Sequence, residues 1–111
     1  MSRRHRLLAL PPGWTTIRGL RLTSDGLQGA VFDVTTSRIT LFAGVHVITA
    51  EMAGWSAGAI IAALKTCDTP PGVEPSLSYL TAADLAPLLA CGALSRVDQL
   101  RLLAHVPGWR P

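Results

Sequence analysis

The sequence predicts an α+β domain: a three-stranded antiparallel β-meander covered by a central apolar helix and followed by a C-terminal helical hairpin. Three observations lead there. Residues 14–50 hold three runs rich in β-branched and aromatic side chains, separated by short turn signals. Thr49 to Thr66 (TAEMAGWSAGAIIAALKT) is the longest segment in which a helix would be apolar on nearly every side, and such a helix belongs inside something. Residues 81–106 hold two leucine-rich segments, each opened by a hydroxyl residue with an aspartate three positions on.

A chain of 111 residues is long enough for one core and too short for two. It divides into a basic flexible arm (1–10), the meander with its helix (11–66), a Pro-rich loop (67–80), the helical hairpin (81–106) and a tail (107–111). The first strand is Trp14 to Leu22 (WTTIRGLRL), and the second, Leu27 to Val34, follows the turn Ser24-Asp25-Gly26. Asp-Gly between two such runs favours a tight hairpin because both residues tolerate positive φ. After Thr35-Thr36-Ser37 the third strand is expected over Arg38 to Ala50, with Ile39, Leu41, Ala43, Val45 and Val47 on one face.

The central helix is expected from about Ala50 to Thr66, with Thr49 as N-cap and Glu51 in its first turn. Its pairs of small residues, Gly54/Gly58 among them, suit close approach to a neighbour, since each glycine costs up to about 1 kcal/mol of helix propensity and needs a reason. In the C-terminal pair, Thr81 caps the first helix with Asp84, Leu80 and Leu85 form a hydrophobic staple, and Gly92 ends it. Pro87 predicts a kink. Ser95 opens the second helix, expected to bury Val97, Leu100 and Leu103 or Ala104. The tripeptide Pro-Gly-Trp at 12–14 and 107–109 reads as two turns that each lay a tryptophan on the body.

The chain is 49% hydrophobic and 15% charged, against about 25% charged in an ordinary domain, which implies a partner or self-association. The net charge of +3 comes from Arg3, Arg4 and Arg6; without them seven basic side chains face seven acidic ones. Nucleic-acid binding is therefore expected to be weak, since phosphate affinity grows with the number of cations in reach. Nine arginines against one lysine suggest a GC-rich bacterial, bacteriophage or mobile-element source. The apolar run Leu7 to Leu10 is too short for a signal peptide, and Met52 to Leu64 too short to span a bilayer, so a cytoplasmic or virion-associated location with no membrane contact is expected. His5, His46, His105, Cys67 and Cys91 have no metal-ligand spacing, and neither a metal nor a cofactor is expected.

Three short stretches resemble known families. Gly54-Trp55-Ser56-Ala57-Gly58 fits the G-x-S-x-G pattern, and GWSAGAIIAAL resembles the nucleophile segment of patatin-like lipases. That resemblance implies Ser56 as nucleophile with an aspartate in a later Asp-Gly motif, which residues 59–111 lack, so Ser56 is expected to be inert and the chain not an enzyme. IRGLR with RITLFAGVHVITAEMA resembles the three-strand-plus-helix DNA-binding domain of the Apetala and ethylene-response type. It implies DNA contacts from Arg18, Arg21 and Arg38, aided by the arm; the basic, tryptophan-rich second strand of that family is missing. DLAPLLACGALSRVDQLRLL resembles the SHOCT-type helical hairpin, which implies a docking or oligomerisation unit. The expected function is thus a non-catalytic protein–protein interaction or assembly protein, a homo-oligomer or the partner of a larger protein, with Leu85, Leu88, Leu89, Leu100 and Leu103 at the contact. The alternative is DNA binding by the arm and sheet.

Overall fold

The β-rich runs of the sequence pair into one antiparallel sheet of an α+β fold, wider than a meander of three. The structure, a computed structural model, describes residues 6–16, 18–66 and 75–110. The strands are β1 (Arg6–Leu7), β2 (Trp14–Thr15), β3 (Arg21–Thr23), β4 (Gly26–Asp33), β5 (Arg38–Gly44), β6 (His46–Glu51) and β7 (Ser76–Tyr79); the helices are α1 (Ala57–Thr66), α2 (Ala82–Ala90) and α3 (Arg96–Leu103). The sheet runs β1-β3-β4-β5-β6-β7, with β2 also paired to β4.

Several sequence boundaries move, each for a local reason. The run Trp14 to Leu22 divides into β2 and β3, both paired with β4, because Gly19 takes a left-handed φ of 86° and the Thr16 hydroxyl reaches the carbonyl of Ala30. Gly29 of β4 faces this detour, and a Cβ there would lie 2.3 Å from the Gly19 carbonyl oxygen. The β3–β4 loop is Ser24-Asp25, one residue earlier than an Asp-Gly turn; Gly26 already belongs to β4, where a Cβ would strike the backbone of Gly44.

The expected third strand is two. Gly44, at φ 69°, turns the chain with Val45 between the paired residues Ala43 and His46, a two-residue loop whose positive φ falls on the first position as a type II′ turn requires. The turn also resets the alternation, so Val47 lies on the opposite face from Ile39 and Leu41. Residues 49–51, expected to cap and open the central helix, instead end β6, so Thr49 and Glu51 are strand residues. The helix begins only at Ala57, after a turn in which Gly54 adopts φ 86°. Part of the stretch expected to be a Pro-rich loop is β7; residues 67–74 of that loop lie outside the described residues, as do residues 1–5 of the arm. Residues 6–8 of the arm are tied to the sheet: Leu8 is buried and its N–H donates to the Leu20 carbonyl at 2.9 Å.

Helices cover both faces. On one face Leu27, Val31, Phe42 and Val47 form a single cluster with Leu85 and Leu88 of α2 and Leu102 of α3. On the other, Ala30, Ile39 and Leu41 pack under Ala63 and Leu64 of α1. The cover is α2 and α3 on one side and a single helix on the other, in place of one helix buried on all sides.

The local signals for the C-terminal helices hold. Thr81 and Asp84 form a reciprocal capping box, Leu80 and Leu85 are both fully buried, and α2 runs through Pro87 to end at Cys91 with Gly92 at φ 77°. Ser95 caps α3, its hydroxyl accepting from Asp98 N–H at 3.2 Å. The buried stripe of α3 differs from expectation: Leu102 and Asp98 turn inward while Val97 and Leu100 are exposed. Both Pro-Gly-Trp tripeptides are i→i+3 turns, closed by Trp14 N–H to Pro11 carbonyl and Trp109 N–H to Val106 carbonyl at 3.1 Å. Each has glycine at positive φ after proline, the signature of a type II turn, and both tryptophans pack on the α2/α3 cluster.

Candidate interaction surface

Ser56 sits where a nucleophile elbow would place it, between β6 and α1, but its geometry is that of an N-cap. Its hydroxyl accepts from Ala59 N–H at 3.2 Å, and among the described residues Ser37 alone, glycines apart, has positive φ, so Ser56 lacks the left-handed backbone of a strained turn. Gly58 is open on its helix surface, where a Cβ would meet nothing within 4 Å. The two glycines of the motif thus serve a turn and an exposed helix face, and neither permits the close approach the sequence suggested.

The three arginines expected on the open sheet do not converge. The Arg18 guanidinium donates to the Lys65 carbonyl at 3.1 Å, satisfying one of the open carbonyls at the end of α1. Arg38 is paired with Glu51 across β5 and β6 at 2.8 Å. Arg21 lies opposite Gln28, so alternation puts it on the α1 face, while Arg38, opposite Asp33, is on the other. Arg3 and Arg4 lie outside the described residues, and Arg6 enters β1 opposite Leu22.

Of the five leucines expected at a contact, Leu85 and Leu88 are fully buried in the chain's own core, and Leu89 and Leu103 pack against it. The sheet face, unaccounted for by a meander plus one helix, consumes the apolar surface that the sequence left free. Leu100, with Val97, is what the pair presents to solvent.

Most of the exposed large apolar side chains of the described residues lie on the α1 side. Register places Leu7, Arg21, Gln28, Ala43, His46 and Tyr79 in one row across the whole sheet, and Ala30, Leu41, Ile48 and Leu77 in the next. α1 packs over the second row at Ala30 and Leu41 and leaves Leu77, 68% exposed, at the sheet edge. In the first row Leu7 and Tyr79 are both more than half exposed, and the His46 and Tyr79 rings lie 5.0 Å apart at 34°. On α1 itself Ile61 is exposed. β7 is an edge strand without a charged residue, and each of its four residues is exposed. Beside it, where β7 passes into α2, a cleft of about 370 Å³ is lined by Leu80, Thr81, Val106, Pro107 and Trp109 among others. No sequence signal marked β7: Ser-Leu-Ser-Tyr is short, follows a proline and lacks β-branched residues.

Among the described residues no helix is long and apolar enough to cross a membrane, and no group of three or more His, Cys, Asp or Glu is gathered as a metal site would need. No protein-family model matches the chain, and no curated protein or solved structure is significantly similar to it.

Proposed function

We propose that this chain is a small non-catalytic protein–protein interaction or assembly module, acting through an apolar surface in the cytoplasm or, if its source is a phage, on the virion. The observation that carries this reading is that Leu77, Tyr79 and Ile61 are exposed on the α1 side of the sheet, beside a strand edge that no other described strand pairs. Exposed apolar side chains next to a free edge are what interaction sites present and what solitary domains tend to suppress. Composition supports it too, since a chain with 15% charged residues has little charge repulsion to hold copies or partners apart. DNA binding has less support, because Arg18 and Arg38 are engaged within the fold.

Sedimentation of the full chain at low and high salt tests this. Apolar association persists or strengthens as salt rises. A chain that stays monomeric at high concentration, and whose host-derived complexes contain only nucleic acid released by salt, would overturn the reading in favour of phosphate-driven binding.

A further inference from the structure

We propose that β7 is a self-complementary edge, and that two copies of the chain join their sheets by antiparallel β7–β7 pairing about a two-fold axis through Ser78. The inference rests on the interaction reading and adds its partner, a second copy, and its register.

The register follows from which backbone groups are free. The Leu80 N–H donates to the Val45 carbonyl at 2.8 Å, and Ser78 and Ser76 lie opposite Val47 and Thr49. Bonded and non-bonded positions alternate along an antiparallel ladder, so the N–H and C=O of Leu77 and Tyr79 point to the open side. In a two-fold pairing centred on Ser78, Leu77 of each copy faces Tyr79 of the other, and all four outward N–H groups meet outward carbonyls. The neighbouring registers each leave two outward carbonyls of the pair without a donor: centring on Leu77 sets the Tyr79 carbonyl against Pro75, which has no N–H, and centring on Tyr79 sets the Leu77 carbonyl against Thr81, whose N–H already donates to Asp84 at 2.9 Å. Side chains agree with the same register: Leu77 and Tyr79 share the α1 face, so the row His46–Tyr79 would continue into Leu77 and Ile48 of the second copy. Aromatic–aliphatic pairs of this kind stabilise facing strands. β7 carries no charged residue of its own, among the described residues no helix covers its open side, and Leu77 and Tyr79 are more than half exposed. A four-residue edge is at the small end of protein contacts, so the dimer is expected at roughly 100 µM and not at nanomolar concentration.

Ser78→Cys tests the axis, in a full-length chain also carrying Cys67→Ser and Cys91→Ala. A non-hydrogen-bonded antiparallel pair holds its Cα atoms about 4.5 Å apart, within disulfide reach, whereas Ser76→Cys would leave them about 14 Å apart. Mild oxidation should give a disulfide dimer with Ser78→Cys and not with Ser76→Cys. In the otherwise native chain Leu77→Lys should weaken dimerisation at least tenfold by light scattering, with the circular dichroism of the sheet unchanged. Equal crosslinking at both positions, or no crosslinking with a chain monomeric at several hundred micromolar, overturns the proposal. Association that survives Leu77→Lys without Ser78→Cys crosslinking also overturns it while leaving the broader interaction reading standing.

Discussion

On the α2/α3 side of the sheet, twelve of the described residues close into one buried cluster, whereas on the α1 side six do so. The helices responsible invert what hydrophobicity alone suggests. α3 (RVDQLRLL) carries three charges and sits on the larger core; α1 (AGAIIAALKT) carries one and leaves Ile61 in solvent. Two helices can shield a twisted sheet that one cannot, so burial here follows how many elements cover a face more than how apolar each is. An apolar helix on the thinly covered face is then a piece of surface as well as of core.

The largest effects should come from the deep side. Leu85→Ala or Leu88→Ala removes a side chain with no solvent exposure and should cost about 2–5 kcal/mol, while Leu64→Ala under α1 should fall near the lower limit of about 2 kcal/mol, because a single helix can settle into the gap. Urea unfolding measures both, and equal losses would break the asymmetry. Next come the caps. Thr81→Ala removes a reciprocal capping box and should cost about 1 kcal/mol; Ser56→Ala removes one hydrogen bond at the start of α1 and should cost closer to 0.5 kcal/mol. Ser56 should also remain unlabelled by a fluorophosphonate probe, and labelling that Ser56→Ala abolishes in a folded chain would restore the nucleophile reading. Ile61→Ser should change unfolding by less than about 1 kcal/mol, since that side chain is already 44% exposed in the fold. A comparably small effect is expected for Arg38→Ala: its pair with Glu51 is exposed on both sides and is worth about 0–1 kcal/mol, a difference that salt should erase.

What could be read from the sequence was local. Thr81 with Asp84, Ser95 with Asp98, and both Pro-Gly-Trp turns depend on bonds spanning three residues, and each is where the residue types put it. The helix start at Ala57 was hidden because Ala50 to Gly58 is as apolar as a buried strand and as small as a helix, and the decision lies in β5–β6 pairing, which no window of sequence displays. The Gly44-Val45 turn was masked in the same way by alternation that runs unbroken through it. The candidate surface was the least legible part. Leucines 85 and 88 have the spacing an interface or a core would equally use, and only the width of the sheet decides between them. Leu77 and Tyr79, which replace them at the surface, lie in a stretch whose prolines argue for a loop.

The three tryptophans are distributed so that the molecule carries its own optical labels. Trp14 and Trp109 pack on the α2/α3 cluster and Trp55 on the α1 cluster, each partly buried and therefore sensitive to water when its layer loosens. A chain keeping Trp55 alone should report the lifting of α1 by a red shift in emission, and one keeping Trp14 or Trp109 the opening of the opposite layer. If the two signals separate along a denaturant series, the halves of the sheet come apart in sequence and unfolding is not two-state; if they superimpose, β4 and β5 couple the layers into one cooperative unit.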